Sequence, residues 1–264
     1  MQKIINMQKK EATDFIVKEC QQLSKLYSLL KLTPENGKAL PEILPGQFVQ
    51  VKIPHCPDVM LRRPISVNNV DTDDNTLWLL VRRAGKGTDT LASLKAGEKV
   101  NIILPLGNTF SLPTDKESKI LLVGGGVGVA PMLYFGKVLK QKGYKPEFLL
   151  GARSKNDLLQ LELFEKYGTV HASTEDGSYG EKGLVTKNSV LASGINNIYC
   201  CGPAPMMKAV AMEAKRIGAK CEVSLENMMA CGIGACLCCV EKTVKGNVCV
   251  CTEGPVFNID KLTW

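Results

Sequence analysis

The chain has 264 residues, 45% hydrophobic and 22% charged, which allows one large or two medium domains with a proper core. Its formal charge is +7 with lysines and arginines scattered along the chain, so it carries no nucleic-acid motif but has a basic surface able to steer an acidic cofactor or partner. No apolar run reaches the roughly 18–20 residues of a membrane helix; the richest stretch, 120–135, is broken by four glycines and a proline.

The chain opens MQKIINMQKKEATDF, without the apolar core of a secretory signal, and the expected location is the cytoplasm. Residues 13–112 read as short strands. Residues 48–53 alternate apolar and polar, and 77–81 and 100–104 are two further strands, with Gly46, Gly85, Gly87, Gly97 and Gly107 between them. Strands at this spacing predict an antiparallel β-barrel or sandwich over 1–113. Over 114–224 the pattern changes to strands at 119–123, 147–150, 170–173, 197–201 and 220–225, with helices at 131–142, 157–167 and 205–217. That alternation predicts a parallel sheet with helices on both faces. From 225 to 264 the periodicity stops and cysteine and glycine take over. So short a segment makes a poor core, and a metal centre would help to hold it.

Eleven cysteines in a chain of this class point to metal or redox work rather than disulfides, and six of them lie between Cys231 and Cys251. Cys231, Cys236 and Cys239 form C-x4-C-x2-C, and Cys251 follows after 11 residues. This is the spacing of a plant-type [2Fe–2S] cluster with four thiolate ligands. The small residues Gly232, Gly234 and Ala235 let backbone N–H groups approach the sulfurs. Cys238 as a ligand would break the spacing. Cys249 stands two before Cys251, and on a returning strand both would share a face, so geometry leaves the fourth ligand open. A zinc site usually pairs two short arms, whereas here one arm carries three regularly spaced cysteines. Buried free thiols are the other alternative.

Two segments suit a flavin diphosphate. Leu61-Arg62-Arg63-Pro64-Ile65-Ser66 offers an arginine fork and a serine hydroxyl. About 20 residues on, the Gly85-Lys86-Gly87-Thr88 turn frees backbone N–H groups and adds a second hydroxyl. A nicotinamide dinucleotide is suited by Gly124-Gly125-Gly126-Val127-Gly128-Val129-Ala130-Pro131, a strand–turn–helix segment whose helix start would face a pyrophosphate. Further on comes Cys200-Cys201-Gly202-Pro203-Ala204-Pro205-Met206. Glu175 and Asp176 would repel a 2′-phosphate and accept from a free ribose hydroxyl, so NAD is expected over NADP. His55 and His171, the only histidines, are expected in surface or packing roles.

These motifs resemble the ferredoxin-reductase superfamily. R-P-I-S is similar to its R-x-(Y/F)-S flavin motif, with Ile65 replacing the aromatic residue. GVAP and CGPAPM are similar to its nicotinamide motifs. The resemblance implies that Leu80, Val81 and Arg82 run along the flavin and that Cys201 lies near the hydride path. RRPIS, GKGT, GGGVGVAPM, CCGPAPMM and SLENMMACGIGACLCC together resemble, in order and along the whole chain, the electron-transfer subunits of type B dihydroorotate dehydrogenases. The ending CTEGPVF matches that family with Cys251 as the fourth ligand. The family implies an FAD barrel, an NAD domain and a [2Fe–2S] segment. It also implies a separate FMN-containing subunit that oxidises dihydroorotate for pyrimidine synthesis, in a heterotetramer of two plus two. The competitors are an NAD(P)H-linked ferredoxin reductase or sulfide dehydrogenase subunit, which tend to carry an acid where Cys231 stands, and a non-catalytic zinc-stabilised binding protein.

Overall fold

The computed structural model describes residues 9–264; the first eight residues, which form the first half of the opening stretch expected to hold no secretory signal, lie outside the described residues. Six antiparallel strands close the first barrel: β1 (Glu11–Gln22), β2 (Tyr27–Pro34), β3 (Phe48–Val51), β4 (Arg63–Asp71), β5 (Thr76–Arg82) and β6 (Lys99–Leu106), in the order β1-β2-β5-β4-β3-β6. A short helix α1 (Lys86–Leu91) joins β5 to β6. Alternation sorts the faces. Val49, Val51, Leu79 and Val81 fill the barrel, while Phe48, Gln50, Leu80 and Arg82 stand on the other face. The strands β1, β2 and β4 carry no clean alternation in sequence, and they form because closure pairs both of their edges.

The second sheet holds β7 (Ile120–Gly125), β8 (Pro146–Ala152), β9 (Thr169–Thr174), β10 (Glu181–Lys182), β11 (Asn197–Cys201), β12 (Lys220–Ser224) and β15 (Val256–Asn258), in the order β10-β9-β8-β7-β11-β12-β15. Helix α2 (Val129–Gln141) packs on the face carrying Leu122, Phe148 and Tyr199. Helix α4 (Ala204–Ile217) packs on the opposite face, carrying Leu121, Leu149 and Ile198. Helix α3 is shorter than the spacing predicts, Leu161–Glu165, because Gln160 in the left-handed region starts it late.

The C-terminal residues hold a hairpin, β13 (Val240–Thr243) and β14 (Gly246–Cys249), then α5 (Val250–Glu253). Strand β15 then pairs antiparallel with β12, so this part shares the core of the second sheet. Asn108 ties it to the barrel: its Nδ2 donates to the carbonyls of Glu253 (2.7 Å) and Val256 (2.9 Å), and its Oδ1 accepts from Val256 N–H. Barrel and sheet are joined as well. Asn68 Nδ2 donates to Ala130 O, Tyr134 Oη to Ile43 O, and Lys137 Nζ to Val70 O. Among the described residues no helix is long and apolar enough to cross a membrane.

Candidate functional site

The chain runs outward from β7 through β8, β9 and β10, then returns to place β11 on the other side of β7. That reversal opens a crevice at the carboxyl ends of β7 and β11, the position where sheets of this kind take ligands. Both predicted nucleotide turns end there, with Gly124 in register with Cys201. They interlock closely. A Cβ on Gly128 would fall 2.5 Å from the Cys201 carbonyl, and one on Gly125 would fall 2.5 Å from Met206 Sδ. Gly126 takes φ +57, and Ala130 and Pro131 lie in the first turn of α2. Gly202 and Pro203 lead into α4. Glu175 and Asp176 follow β9, two strands away, at about 10 Å on strand spacing. Asp176 accepts from Ser178 N–H and Oγ–H, and these bonds hold its carboxyl below the usual range.

The two flavin segments also meet. Arg63 lies over Gly87, where a Cβ would come within 3.1 Å of its Nε. Arg63 Nη1 donates to Leu61 O at 2.8 Å. Thr88 Oγ1 accepts from Ala84 N–H and donates to Gly85 O, so its hydroxyl secures the turn itself. Beside them opens a cleft of about 280 Å³. The predicted Pro64, Ile65, Ser66, Leu80, Arg82 and Ala130 line it. Between Leu80 and Arg82, the side chain of Val81 points into the barrel core, so of Val81 only the backbone runs along that strand's cleft face. Phe48, Val127, Pro255 and the run Leu225–Met229 also line the cleft and were not foreseen. The missed signal is positional: Leu225 to Asn227 follow β12 at the same carboxyl edge of the sheet.

Cys201 is 1% exposed, and burial pushes its thiol well above the ordinary range, with the Glu226 charge adding to the effect. It is therefore a neutral thiol, and its Sγ approaches Glu226 Oε1 at 3.8 Å. Its neighbour Cys200 faces the opposite side of the sheet, in the core beneath α4. Glu226 reaches from an exposed rim into the cleft, where desolvation raises its carboxyl, opposed by the Cys201 contact and the Arg82 charge. His171 pairs with Glu147 at 2.7 Å and His55 with Glu98 at 3.4 Å, and neither lines the cleft.

In the cysteine loop, Ile233 and Ala235 N–H donate to Cys231 Sγ (3.5 and 3.3 Å), and Gly234 N–H donates to Cys251 Sγ (3.2 Å). Cys251 N–H donates to Cys239 Sγ (3.4 Å). Burial pushes the Cys231 thiol up, but hydrogen bonds from Ile233, Cys236 and Ala235 outweigh this and bring it to about 6. Cys251 is pushed up to about 12 by burial and its bond with Cys239. The chain thus links Cys231 with Cys236 and Cys239 with Cys251, yet among the described residues no three such side chains are gathered as one ligand set. Cys236 and Cys238 are exposed. The expectation of Cys249 and Cys251 on one strand face is corrected: β14 ends at Cys249, and Cys251 sits buried in α5. Sulfurs ringed by N–H donors fit the chemistry of an iron–sulfur cluster.

Comparison with known proteins bears on all three parts. Residues 14–110 match a family described as oxidoreductase FAD-binding domain, and 122–212 one described as oxidoreductase NAD-binding domain. Residues 226–263 match the iron-sulfur cluster binding domain of dihydroorotate dehydrogenase B. A protein of Shouchella clausii is 37% identical over 97% of this chain and 99% of its own length, and one of Lysinibacillus sphaericus is 41% identical over 84% and 88%. Both are named dihydroorotate dehydrogenase B (NAD(+)), electron transfer subunit. Among solved structures, a chain of an NADH-dependent reduced ferredoxin-NADP oxidoreductase superposes with TM-score 0.84 at 27% identity, over 96% of this chain and 91% of that one. The FAD/NAD-binding domain of a Vibrio cholerae nitric oxide dioxygenase shares the fold, with TM-score 0.67 at 22% identity over 81% of this chain and 98% of that one.

Proposed function

The chain belongs to the family of dihydroorotate dehydrogenase B electron transfer subunits, and we propose from that membership that it carries electrons from an FMN-containing catalytic subunit, which oxidises dihydroorotate to orotate, through a [2Fe–2S] cluster and FAD to NAD⁺. The observation that carries this reading is the cleft itself: flavin strands, nucleotide turn and C-terminal segment all border one volume. FAD exchanges either one electron or a hydride, and so joins a one-electron cluster to a two-electron nicotinamide.

The residues divide by task. Arg63 and the Gly85–Thr88 turn hold the flavin diphosphate, while Pro64, Ile65, Ser66, Leu80 and Arg82 border the ring. The segment 124–131 with Gly202, Pro203 and Met206 receives the dinucleotide, and Glu175 and Asp176 select NAD. Cys231, Cys236, Cys239 and Cys251 hold the cluster. Cys201, a neutral thiol backed by Glu226, borders the hydride path as a positioning group. Around the cluster loop Ile233, Leu237 and Met228 are 48%, 64% and 84% exposed. An apolar rim of this kind suits the catalytic subunit as a partner, in a cytoplasmic heterotetramer of two catalytic and two electron-transfer subunits.

Likeness to the ferredoxin-NADP oxidoreductase chain favours a second reading, delivery of electrons to a ferredoxin. One assay separates them. The chain is co-produced with the FMN-type dihydroorotate oxidase of the same cell and tested for dihydroorotate-dependent NAD⁺ reduction. Activity that requires this chain supports the first reading. NADH oxidation without binding or assisting that enzyme moves the assignment to the ferredoxin branch.

A further inference from the structure

Gln50 stands alone among the described residues: its side chain is fully buried, and neither its Nε2 nor its Oε1 has a hydrogen-bond partner. An orphaned buried amide loses its hydration with no hydrogen bond in return, whereas an apolar side chain of similar shape carries no such penalty. Such a group calls for a partner that the polypeptide does not supply.

Its direction identifies the partner. Gln50 shares the outer face of β3 with Phe48, about 7 Å away on strand geometry. Phe48 lines the cleft, opposite Ser66 in the strand pairing. Gln50 faces the cysteine loop instead: a Cβ on Gly232 would lie 2.6 Å from Gln50 Cγ and 2.7 Å from its Nε2. Gly232 has φ +71, so it is held in the left-handed region with the amide against it. It follows Cys231 directly, in the loop whose N–H groups already point at the sulfurs of Cys231 and Cys251. The strand beneath is fixed, since Arg62 Nη1 donates to both Gln50 O (3.2 Å) and Asn101 O (2.9 Å).

We propose that the Gln50 side-chain amide donates a hydrogen bond to a sulfur of the iron–sulfur centre held by this loop, so that a strand of the flavin barrel sets the centre's reduction potential. The inference rests on the reading of the loop as a cluster site. Donors to cluster sulfur favour the reduced, more negatively charged form and raise the potential. One face of β3 then contacts both redox sites, the flavin cleft through Phe48 and the cluster through Gln50.

The test uses the full chain with its partner subunit. The reduced wild-type protein, carrying ¹⁵N in its glutamine side chains, is measured by pulsed electron paramagnetic resonance, and the potential is titrated in wild type and in Gln50→Met, which keeps the length but not the N–H. The expected result is a glutamine nitrogen coupling in wild type that the variant lacks. The variant's potential should fall by an amount equal to about tenfold in the one-electron equilibrium, about 59 mV. A cluster signal with no glutamine coupling overturns the proposal, and so does an unchanged potential in a fully loaded variant. If the variant fails to load, the wild-type coupling alone decides. Absence of any [2Fe–2S] signal from the reduced wild type would overturn the cluster reading together with the proposal.

Discussion

Cys231 already accepts hydrogen bonds from two backbone N–H groups, and its thiol is lowered to about 6, burial being outweighed by those bonds and by Cys236. A thiolate so prepared is a ready metal ligand, and a serine oxygen is a harder and poorer one for iron. Cys231→Ser is expected to lose iron and sulfide while keeping FAD. Metal and sulfide analysis beside flavin absorbance checks this, and full iron content in the variant would remove Cys231 from the ligand set. Glu226 makes a different prediction. Desolvation raises its carboxyl, so the folded protein holds that proton better than the unfolded chain does. The stability this contributes is present in acid and is lost as pH rises through the raised value. Glu226→Gln should therefore be near-neutral in acid and should raise the melting temperature of flavin-stripped protein at neutral pH. The rise is about 2 °C, kept small by solvent at the rim. An equal effect at both pH values would show that Glu226 does not titrate as argued.

At the level of elements, the proposed nucleotide site is two turns locked against each other. Gly128 meets the Cys201 carbonyl at a spacing no Cβ can share, and neither partner can swing aside because both are backbone. Gly128→Ala is expected to cost about 1–3 kcal/mol through overpacking and to weaken NADH binding by roughly tenfold, leaving flavin and iron in place. Thermal melting and NADH titration of flavin reduction measure the two effects, and unchanged NADH binding would mean that the turns tolerate displacement. The glycine run and the CGPAPM segment were both legible in the sequence because each follows an apolar strand. Their interlock was not, because it depends on β11 returning to the flank of β7 across more than 70 residues.

For the whole molecule, the cysteine segment is not an appendage. Val256, Phe257, Ile259 and Leu262 are all buried, and at about 1.5–3 kcal/mol each they contribute about 6–12 kcal/mol. That is the scale of a domain's entire stability, about 5–15 kcal/mol. Removing residues 226–264 is expected to leave an insoluble or unfolded chain even where no cluster is needed. A folded, FAD-binding truncation by circular dichroism and flavin absorbance would contradict this. The segment looked too small for a core when read alone, and it remains so. It borrows its core from β12 and α4, and Asn108 pins it to the barrel.

What the sequence determined by itself is what nearby residues dictate. Alternation marked β3, a short apolar run marked β5, apolar strands followed by glycine marked β7 and β11, and cysteine spacing marked the cluster loop, because each signal spans only a few residues. The tertiary structure decided what depends on distant partners. It turned Val81 inward and Leu80 and Arg82 onto the cleft, set Cys251 in a short helix, brought Glu226 to Cys201, and laid Gln50 against Gly232. The reason is common to these cases. Which face of a strand is buried, and what covers it, follows from barrel closure and sheet order, and those join residues far apart in the chain.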